Sequence, residues 1–410
     1  MNLATDPVRQ QYERWPYPPP PAEDLTAMPQ YLRVYQALRD LAPRFWPAGV
    51  PREDMDILVA GCGTVAAACV AQNFPQCRVV GIDISRASLD FEEKLKARHH
   101  LENLTLVHCP IEDAASLGKS FDYILCQGVL HHTESPVAAL RVLGGLLAIE
   151  GVMRVALYGK YPREQVYAFQ ELFRVMGLSQ NEESVAVVRE TLSILPPGHP
   201  LQSYLRLAKD QCTDSGIVDT YLNRRDRPYT VPDCLALVAE AGLVFQGWDV
   251  NFDYYPDGPL CGNHSLRHRL SALKDEEAWQ AMEIISGSMR MHEFHVCRPE
   301  RDPATYRIPW NSEKLLSCVP GHCVDLLRIG GTAFSPLWGI GRPAAGNPVV
   351  PLTLDQAVLL SKIDGRHTLA QCLAAAGVSG TNETLLEKAL PLMRLLWRTG
   401  YGVFCLPRGE

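Results

Sequence analysis

Between residues 54 and 160, short apolar segments alternate with helix-like segments, and this alternation limits the folds that the chain can adopt. The apolar segments predict strands, and they are "DILVAGCG", "CRVVGIDIS", "LTLVHC", "FDYILCQGVLHH" and "VMRVALYG". Helices are predicted by "TVAAACVAQNF", "ASLDFEEKLKARHH" and "SPVAALRVLGGLLA". Strands that alternate with helices at this spacing form a parallel sheet with right-handed crossovers. We therefore predict an α/β fold with a doubly wound, Rossmann-like sheet.

The alternation stops after residue 160, and this break indicates how the chain is divided. Residues of about 161–237 predict helices interrupted by Pro-Pro-Gly-His-Pro, which favours a helical insertion. Alternation then resumes and completes a sheet domain over 51–300. After the polar, proline-containing segment "RPERDPATYRIP", helical segments lead into a final strand, an order that suits a small winged-helix-like α/β domain over 311–410. Residues 1–50 are predicted to form an N-terminal arm and a helix near 28–45.

Composition and charge exclude several classes of protein. The chain has 410 residues, of which 47% are hydrophobic, enough for two or three domains with sizeable cores. Its formal net charge of −7 disfavours a general nucleic-acid binder, because phosphate binding needs clustered Lys and Arg. No apolar run approaches the roughly 20 residues of a membrane span, and the N-terminus lacks the apolar core of a signal peptide. We expect a cytoplasmic protein with no membrane partner.

The first two strands of the sheet end in residues that predict a ligand site. Gly61 and Gly63 follow the first strand, and Asp83 ends the second. In doubly wound sheets, ligands bind at the carboxyl ends of the strands, where an acidic residue can bind the two hydroxyls of a ribose. The turn "GCGTVA" lacks the third glycine that packs a helix under a pyrophosphate. This spacing favours a nucleoside without phosphates and disfavours a nicotinamide oxidoreductase.

These segments resemble the motifs of the class I S-adenosylmethionine-dependent methyltransferases. "VAGCG" resembles the first motif, Asp83 the ribose carboxylate, "CPIED" the adenine strand and "FDYILCQGVLHHTESPVAAL" the fourth motif. The resemblance implies that 51–300 is a methyltransferase domain that uses S-adenosyl-L-methionine without a metal. The cofactor-binding positions assigned by the motifs are Ala60, Gly61, Cys62, Gly63, Asp83, Ile84, Ile111, Glu112, Gln127, Gly128 and Val129. Pro110 stands where many members carry an aspartate, so the adenine contact is assigned to the Ile111 backbone and to Glu112, with Asp113 as the other candidate.

The N-terminal segment "QYERWPYPPP" combines aromatic side chains with a proline-stiffened backbone. Such an arm loses little entropy on ordering, so it could fold over the cofactor as a lid, or it could simply pack on the domain. In the first case Tyr12 and Tyr17 contact the cofactor. Similar tyrosine-proline arms precede the methyltransferase domain in a bacterial subset of the family, which this chain resembles.

The acceptor side of the site is less specified by the sequence. His131 is the titratable residue nearest to the fourth motif and a candidate base, and Tyr158 is a second catalytic candidate. Alternatively, the pair His131 and His132 only holds the turn before the next helix. The segment "LNRRDRPYT" places five polar or charged residues, Asn223 to Arg227, in a loop that either faces water or forms a paired site.

We predict an S-adenosylmethionine-dependent methyltransferase that transfers the methyl group by direct in-line displacement. The acceptor is either a protein or peptide side chain or a small metabolite, and a homodimer is possible. The domain order distantly resembles that of bacterial protein lysine methyltransferases. The alternative is a non-catalytic regulatory protein that senses S-adenosylmethionine or S-adenosylhomocysteine through the same pocket.

Overall fold

The computed structural model of the protein describes residues 6–19, 25, 42–208, 210–262, 264–331, 336–341 and 348–407. The helix predicted near 28–45 lies mostly outside these residues. The chain divides into two compact units. The first contains the N-terminal arm, Pro51–Phe245 and Ser288–Glu300, and the second contains Asp40–Val50, Gln246–Gly287 and Arg301–Glu410. This grouping differs from the predicted boundaries, because residues 246–287 belong with the C-terminal part of the chain.

A seven-stranded sheet forms the centre of the domain predicted over residues 51–300. Its strands are β1 (Asp56–Ala60), β2 (Arg78–Asp83), β3 (Leu104–His108), β4 (Phe121–Gln127), β5 (Leu147–Tyr158), β6 (Val244–Trp248) and β7 (Met291–Cys297). They follow the order β3-β2-β1-β4-β5-β7-β6. Strands β1 to β5 pair in parallel, and β7 is antiparallel to β5. The predicted doubly wound α/β sheet is confirmed, and strand order reverses between β1 and β4.

Several helices of the first unit are capped at their N-termini by side chains. They are α1 (Pro7–Arg14), α2 (Ala66–Asn73), α3 (Arg86–His99), α4 (Pro136–Gly145), α5 (Glu164–Val175), α6 (Glu182–Ser193), α7 (Leu201–Leu207), α8 (Asp214–Tyr221) and α9 (Val231–Glu240). Asp6, Ser85 and Thr230 cap three of them through side-chain oxygens. Within the segment predicted as an insertion, α5, α6, α7 and α8 share one apolar core. The insertion therefore has a hydrophobic core of its own.

The second unit combines helices with two small antiparallel sheets. Its helices are α10 (His264–Ser271), α11 (Asp275–Ser286), α12 (Leu354–Leu360), α13 (Leu369–Ala375) and α14 (Asn382–Arg398). Its strands are β8 (Val319–His322), β9 (Asp325–Gly331), β10 (Pro336–Gly341), β11 (Val350–Leu352) and β12 (Gly402–Cys405). One sheet has the order β11-β10-β9, and the other pairs β12 with β8. Leu369, Leu392 and Leu396 are fully buried in the core of this unit. Its assignment as a winged helix remains a prediction.

Among the described residues, no helix has both the length and the apolar character that crossing a bilayer would require. All thirteen cysteines are free thiols, as their scattered positions predict.

Candidate functional site

A cavity of about 390 Å³ lies in the first unit, at the carboxyl ends of the central strands. Its position matches the ligand site of doubly wound sheets, since β1 and β4 flank the point where strand order reverses. Every predicted cofactor position lines it: Tyr12, Tyr17, Ala60, Gly61, Cys62, Gly63, Asp83, Ile84, Ile111, Glu112, Gln127, Gly128 and Val129. Tyr158, a predicted catalytic residue, also lines it, whereas His131 is not among the lining residues.

The turn after β1 brings the backbone close to two other segments. Gly61 and Gly63 have φ angles of +71° and +57°, in the left-handed region that glycine adopts at little cost. A Cβ atom at Gly61 would lie 2.5 Å from a methyl carbon of Val129, which follows β4. The two glycines therefore let the turn pack tightly beside the cavity, where a larger side chain would clash.

Asp83 connects this turn to the start of α3. Its Oδ2 accepts a hydrogen bond of 2.8 Å from the Gly63 N–H, and its Oδ1 accepts one of 2.8 Å from the Ser85 N–H. Burial raises the pKa of Asp83, although these two N–H groups act in the opposite direction. Each carboxylate oxygen can accept a second hydrogen bond. The carboxylate is thus held in place on the cavity wall with capacity for two hydroxyl donors.

Glu92, on α3, stabilises the helix that follows the glycine turn. The N–H groups of Ala67 and Ala68, in the first turn of α2, donate to its carboxylate at 2.9 Å each. Burial raises the pKa of Glu92 to about 8. The sequence showed no sign of this role, because Glu92 lies in a charged helical segment where a solvent-exposed carboxylate is the usual outcome.

The N-terminal arm contacts the domain on both sides of the cavity. Asp6 accepts two hydrogen bonds of 3.1 Å from the Arg225 guanidinium. The Glu13 carboxylate accepts from two N–H groups at the start of α3. The Thr64 hydroxyl donates to the Pro18 carbonyl at 2.8 Å. Tyr12 and other residues of the arm also line the cavity, so the arm forms part of its wall. That the arm folds over the cofactor as a lid remains a prediction.

Replacement of Gly63 by alanine tests the contact between turn and arm. The new Cβ would lie 2.7 Å from the Tyr17 carbonyl oxygen, so we expect the arm to be displaced. The measurement is limited trypsin cleavage after Arg14, which should become several-fold faster. Gly128→Ala is the matched control: its φ is +74°, but nothing lies within 4 Å of the added carbon. In that control the expected cost is only that of placing alanine in the left-handed backbone region, roughly 1–2 kcal/mol. Equal cleavage of both variants would contradict the expectation.

Three polar residues that line the cavity, Tyr12, Tyr158 and Asp219, form a cluster. The Tyr12 hydroxyl donates to Asp219 at 2.8 Å, and the Tyr158 hydroxyl donates to the same carboxylate at 3.5 Å. Burial, followed by the charge of Asp219, raises the pKa of both tyrosines well above the ordinary value. Both phenols therefore remain protonated at neutral pH and act as hydrogen-bond donors. Asp219 lies within a helix and belongs to no motif, so nothing in the sequence indicated it.

The two adjacent histidines occupy different environments. His131 is fully buried, packs on the Tyr158 ring with centroids 4.1 Å apart, and has no hydrogen-bond partner for its ring nitrogens among the described residues. Burial lowers the pKa of His131 well below the ordinary value. His132 instead lines the cavity. The sequence placed the candidate base at the first histidine, but the second is the one that faces the cavity.

Two charged residues of the loop "LNRRDRPYT" form ion pairs, one buried and one partly exposed, while Arg224 is exposed. Arg225 pairs with Asp6, and Asp226 pairs with Arg163 at 2.7 Å. Atoms of His131, His132 and Asp226 that could bind a metal lie within 4.8 Å of one another. Because Asp226 already pairs with the Arg163 guanidinium, that positive charge disfavours a further cation there. Transfer without a metal remains a prediction.

The sheet order, the glycine turn and the acidic residue after β2 together define a Rossmann-like methyltransferase fold. Residues 58–153 match the family model described as a methyltransferase domain. This part of the chain is thus similar to a methyltransferase domain, and its sheet has the Rossmann-like fold of the class I type. The cofactor of that class is S-adenosyl-L-methionine, as predicted from the sequence.

Comparison with known proteins extends the likeness beyond this domain. The structure of PKMT2 from Rickettsia typhi, also solved in complex with AdoHcy, matches 95% of this chain and 77% of its own with a TM-score of 0.59. Identity is 18%, so this match shows the fold alone. The uncharacterized protein syc1184_c of Synechococcus sp. is 28% identical over 317 residues, 72% of each chain. The uncharacterized protein RP028 of Rickettsia prowazekii is 31% identical over 144 residues, and the match spans about half of that relative, 54%.

Proposed function

We propose that the chain is an S-adenosylmethionine-dependent methyltransferase whose cofactor occupies the 390 Å³ cavity. The observation that carries this proposal is that every cofactor position assigned from the motifs lines one cavity that the N-terminal arm helps to form. When bound, the cofactor supplies a methyl group already activated by a sulfonium. The work left to the protein is to bind the cofactor, to orient the acceptor and to exclude water.

The lining residues divide this work between them. Asp83 would bind the ribose hydroxyls, and Ile84 and Ile111 would enclose the adenine. Gln127 would lie beside the methionine moiety. Two hydrogen bonds orient its side-chain amide: the amide nitrogen donates to Glu293 at 3.3 Å, and the amide oxygen accepts from Arg154 at 3.3 Å. The arm would exclude water, since it forms part of the cavity wall.

The proposed acceptor is a protein or peptide side chain. The cavity volume lies near the lower end of the roughly 300–1,000 Å³ of small-molecule sites, so the cofactor would fill most of it. The remaining space suits a slender group better than a second bulky molecule. The polar cluster of Tyr12, Tyr158 and Asp219 would then face this group. The resemblance in domain order to bacterial protein lysine methyltransferases supports the same choice.

Transfer of a labelled methyl group from S-adenosylmethionine into cell extract tests the proposal. The products are separated into macromolecules and small solutes, and the Asp83→Ala variant is the blank. We expect label in the protein fraction. Label among the small solutes would support methyltransferase activity but overturn the proposal that the acceptor is a protein or peptide. Cofactor binding without label in either fraction would contradict a transferase and favour a sensor of the cofactor.

A further inference from the structure

Among the described residues that line the cavity, the histidine is His132, and the shorter of the two contacts at its Nδ1 indicates its tautomer. The longer contact is to the side-chain nitrogen of Asn223, at 3.4 Å. In the shorter one, Nδ1 of His132 lies 2.7 Å from the carbonyl oxygen of Arg225. A carbonyl only accepts, so Nδ1 carries the proton in this contact and Nε2 of the neutral ring keeps a lone pair. Among the described residues, Nε2 has no hydrogen-bond partner, so the lone pair is available to a molecule in the cavity.

The segment that orients His132 is itself fixed from several sides. The Arg225 N–H donates to the Asn223 side-chain oxygen at 2.9 Å. The Arg225 guanidinium pairs with Asp6 and also donates to the His132 carbonyl at 3.3 Å. Since Asp6 caps the first helix of the arm, the same residues that hold the arm against the domain also hold the imidazole in one orientation.

Other groups that line the cavity are less suited to accept a proton. Tyr12 and Tyr158 are buried phenols that donate to Asp219, and they contact the His132 ring edge-on at centroid distances of 6.3 Å and 5.9 Å. Asp219 already accepts a hydrogen bond of 2.8 Å from Tyr12. Asp83 already accepts hydrogen bonds from two backbone N–H groups. The imidazole of His132 is therefore the best-placed proton acceptor.

We infer that His132 is the general base that removes a proton from the methyl acceptor, an inference that rests on the proposed function. The lone pair of the acceptor's nitrogen or oxygen forms the new bond to the methyl carbon, and the carbon–sulfur bond breaks with its electron pair left on sulfur. The proton that the acceptor loses moves to Nε2 of His132 and from there to solvent. Arg225 and Asp6 are positioning residues in this scheme.

The test compares His132→Asn with wild type and with His131→Asn. Asparagine can keep the donation to the Arg225 carbonyl but has no basic nitrogen. For His132→Asn we expect methyl transfer to fall by about 10²–10⁴-fold, the usual contribution of general base catalysis. The dissociation constant of S-adenosylmethionine, measured by calorimetry, should stay within about threefold, because Asp83 and the glycine turn are unchanged. His131→Asn should lower the melting temperature and should retain much more methyl transfer than His132→Asn does.

The outcomes separate this inference from the function on which it rests. If wild type and His132→Asn transfer methyl groups equally fast, the role of His132 as general base is overturned and the proposed methyltransferase activity still holds. A wild-type protein that binds the cofactor and transfers nothing overturns both. Wild-type transfer that is lost after dialysis against a chelator and restored by Zn²⁺ alone would make His132 a metal ligand and overturn its role as base.

Discussion

Asp83→Ala should weaken the binding of S-adenosylmethionine by about 30-fold, or about 2 kcal/mol. The substitution removes the acceptor proposed for the ribose hydroxyls. It also leaves the N–H groups of Gly63 and Ser85 without the carboxylate that now accepts from them, so the glycine turn loses its attachment to α3. Calorimetric titration of the full chain with the cofactor measures the effect.

Two variants make this experiment specific. Asp83→Asn keeps the shape and one acceptor oxygen, and should therefore show an intermediate loss of affinity. Asp90→Ala removes an exposed carboxylate from α3, the helix that follows β2, and should leave the dissociation constant unchanged. An unchanged dissociation constant for Asp83→Ala would remove this residue from the site.

Glu92→Ala should lower the free energy of unfolding of the first unit by about 2–4 kcal/mol. Two buried backbone N–H groups at the start of α2 lose their acceptor, and each unsatisfied buried donor costs roughly 1–3 kcal/mol. Urea unfolding, together with hydrogen exchange at the amides of Ala67 and Ala68, measures the loss. Glu93→Ala, at the exposed neighbouring position, is the matched control. Equal stability of the two variants would contradict the role of Glu92.

Glu92 should also make the stability of the protein depend on pH. Its pKa is raised by burial to about 8, above the ordinary value of 4.5, so the folded state holds a proton that the unfolded state releases earlier. The stability contributed by this group is fully present below about pH 4.5 and is lost as pH rises through about 8. Glu92→Gln does not titrate, so its unfolding free energy should lack this part of the decline. Parallel pH profiles for wild type and Glu92→Gln would show that Glu92 does not titrate in this range.

The sequence of residues along the chain was enough to predict the sheet and the part of the site that contains the glycine turn and Asp83. Strand patterns are local, and the glycines after β1 and the carboxylate after β2 lie within about 20 residues of each other, so their meeting follows from one crossover unit. The contiguous aromatic and proline residues of the arm left two roles open, covering the cofactor or packing on the domain. Its two possible roles, packing and covering, are not exclusive, since its residues contact the domain and line the cavity.

Only the tertiary structure decided the other part of the site. Arg225 meets Asp6 across 219 positions of sequence, and Tyr12 meets Asp219 across 207. Hydrophobic periodicity in the sequence cannot predict contacts between residues so far apart in the chain, because these contacts depend on how the insertion packs on the domain. The choice between His131 and His132 depends on the rotation of one short helical turn, which places one ring behind Tyr158 and the other on the cavity wall. Local sequence thus predicted the residues proposed to bind the nucleoside, and long-range packing brought together the groups proposed to face the methyl acceptor.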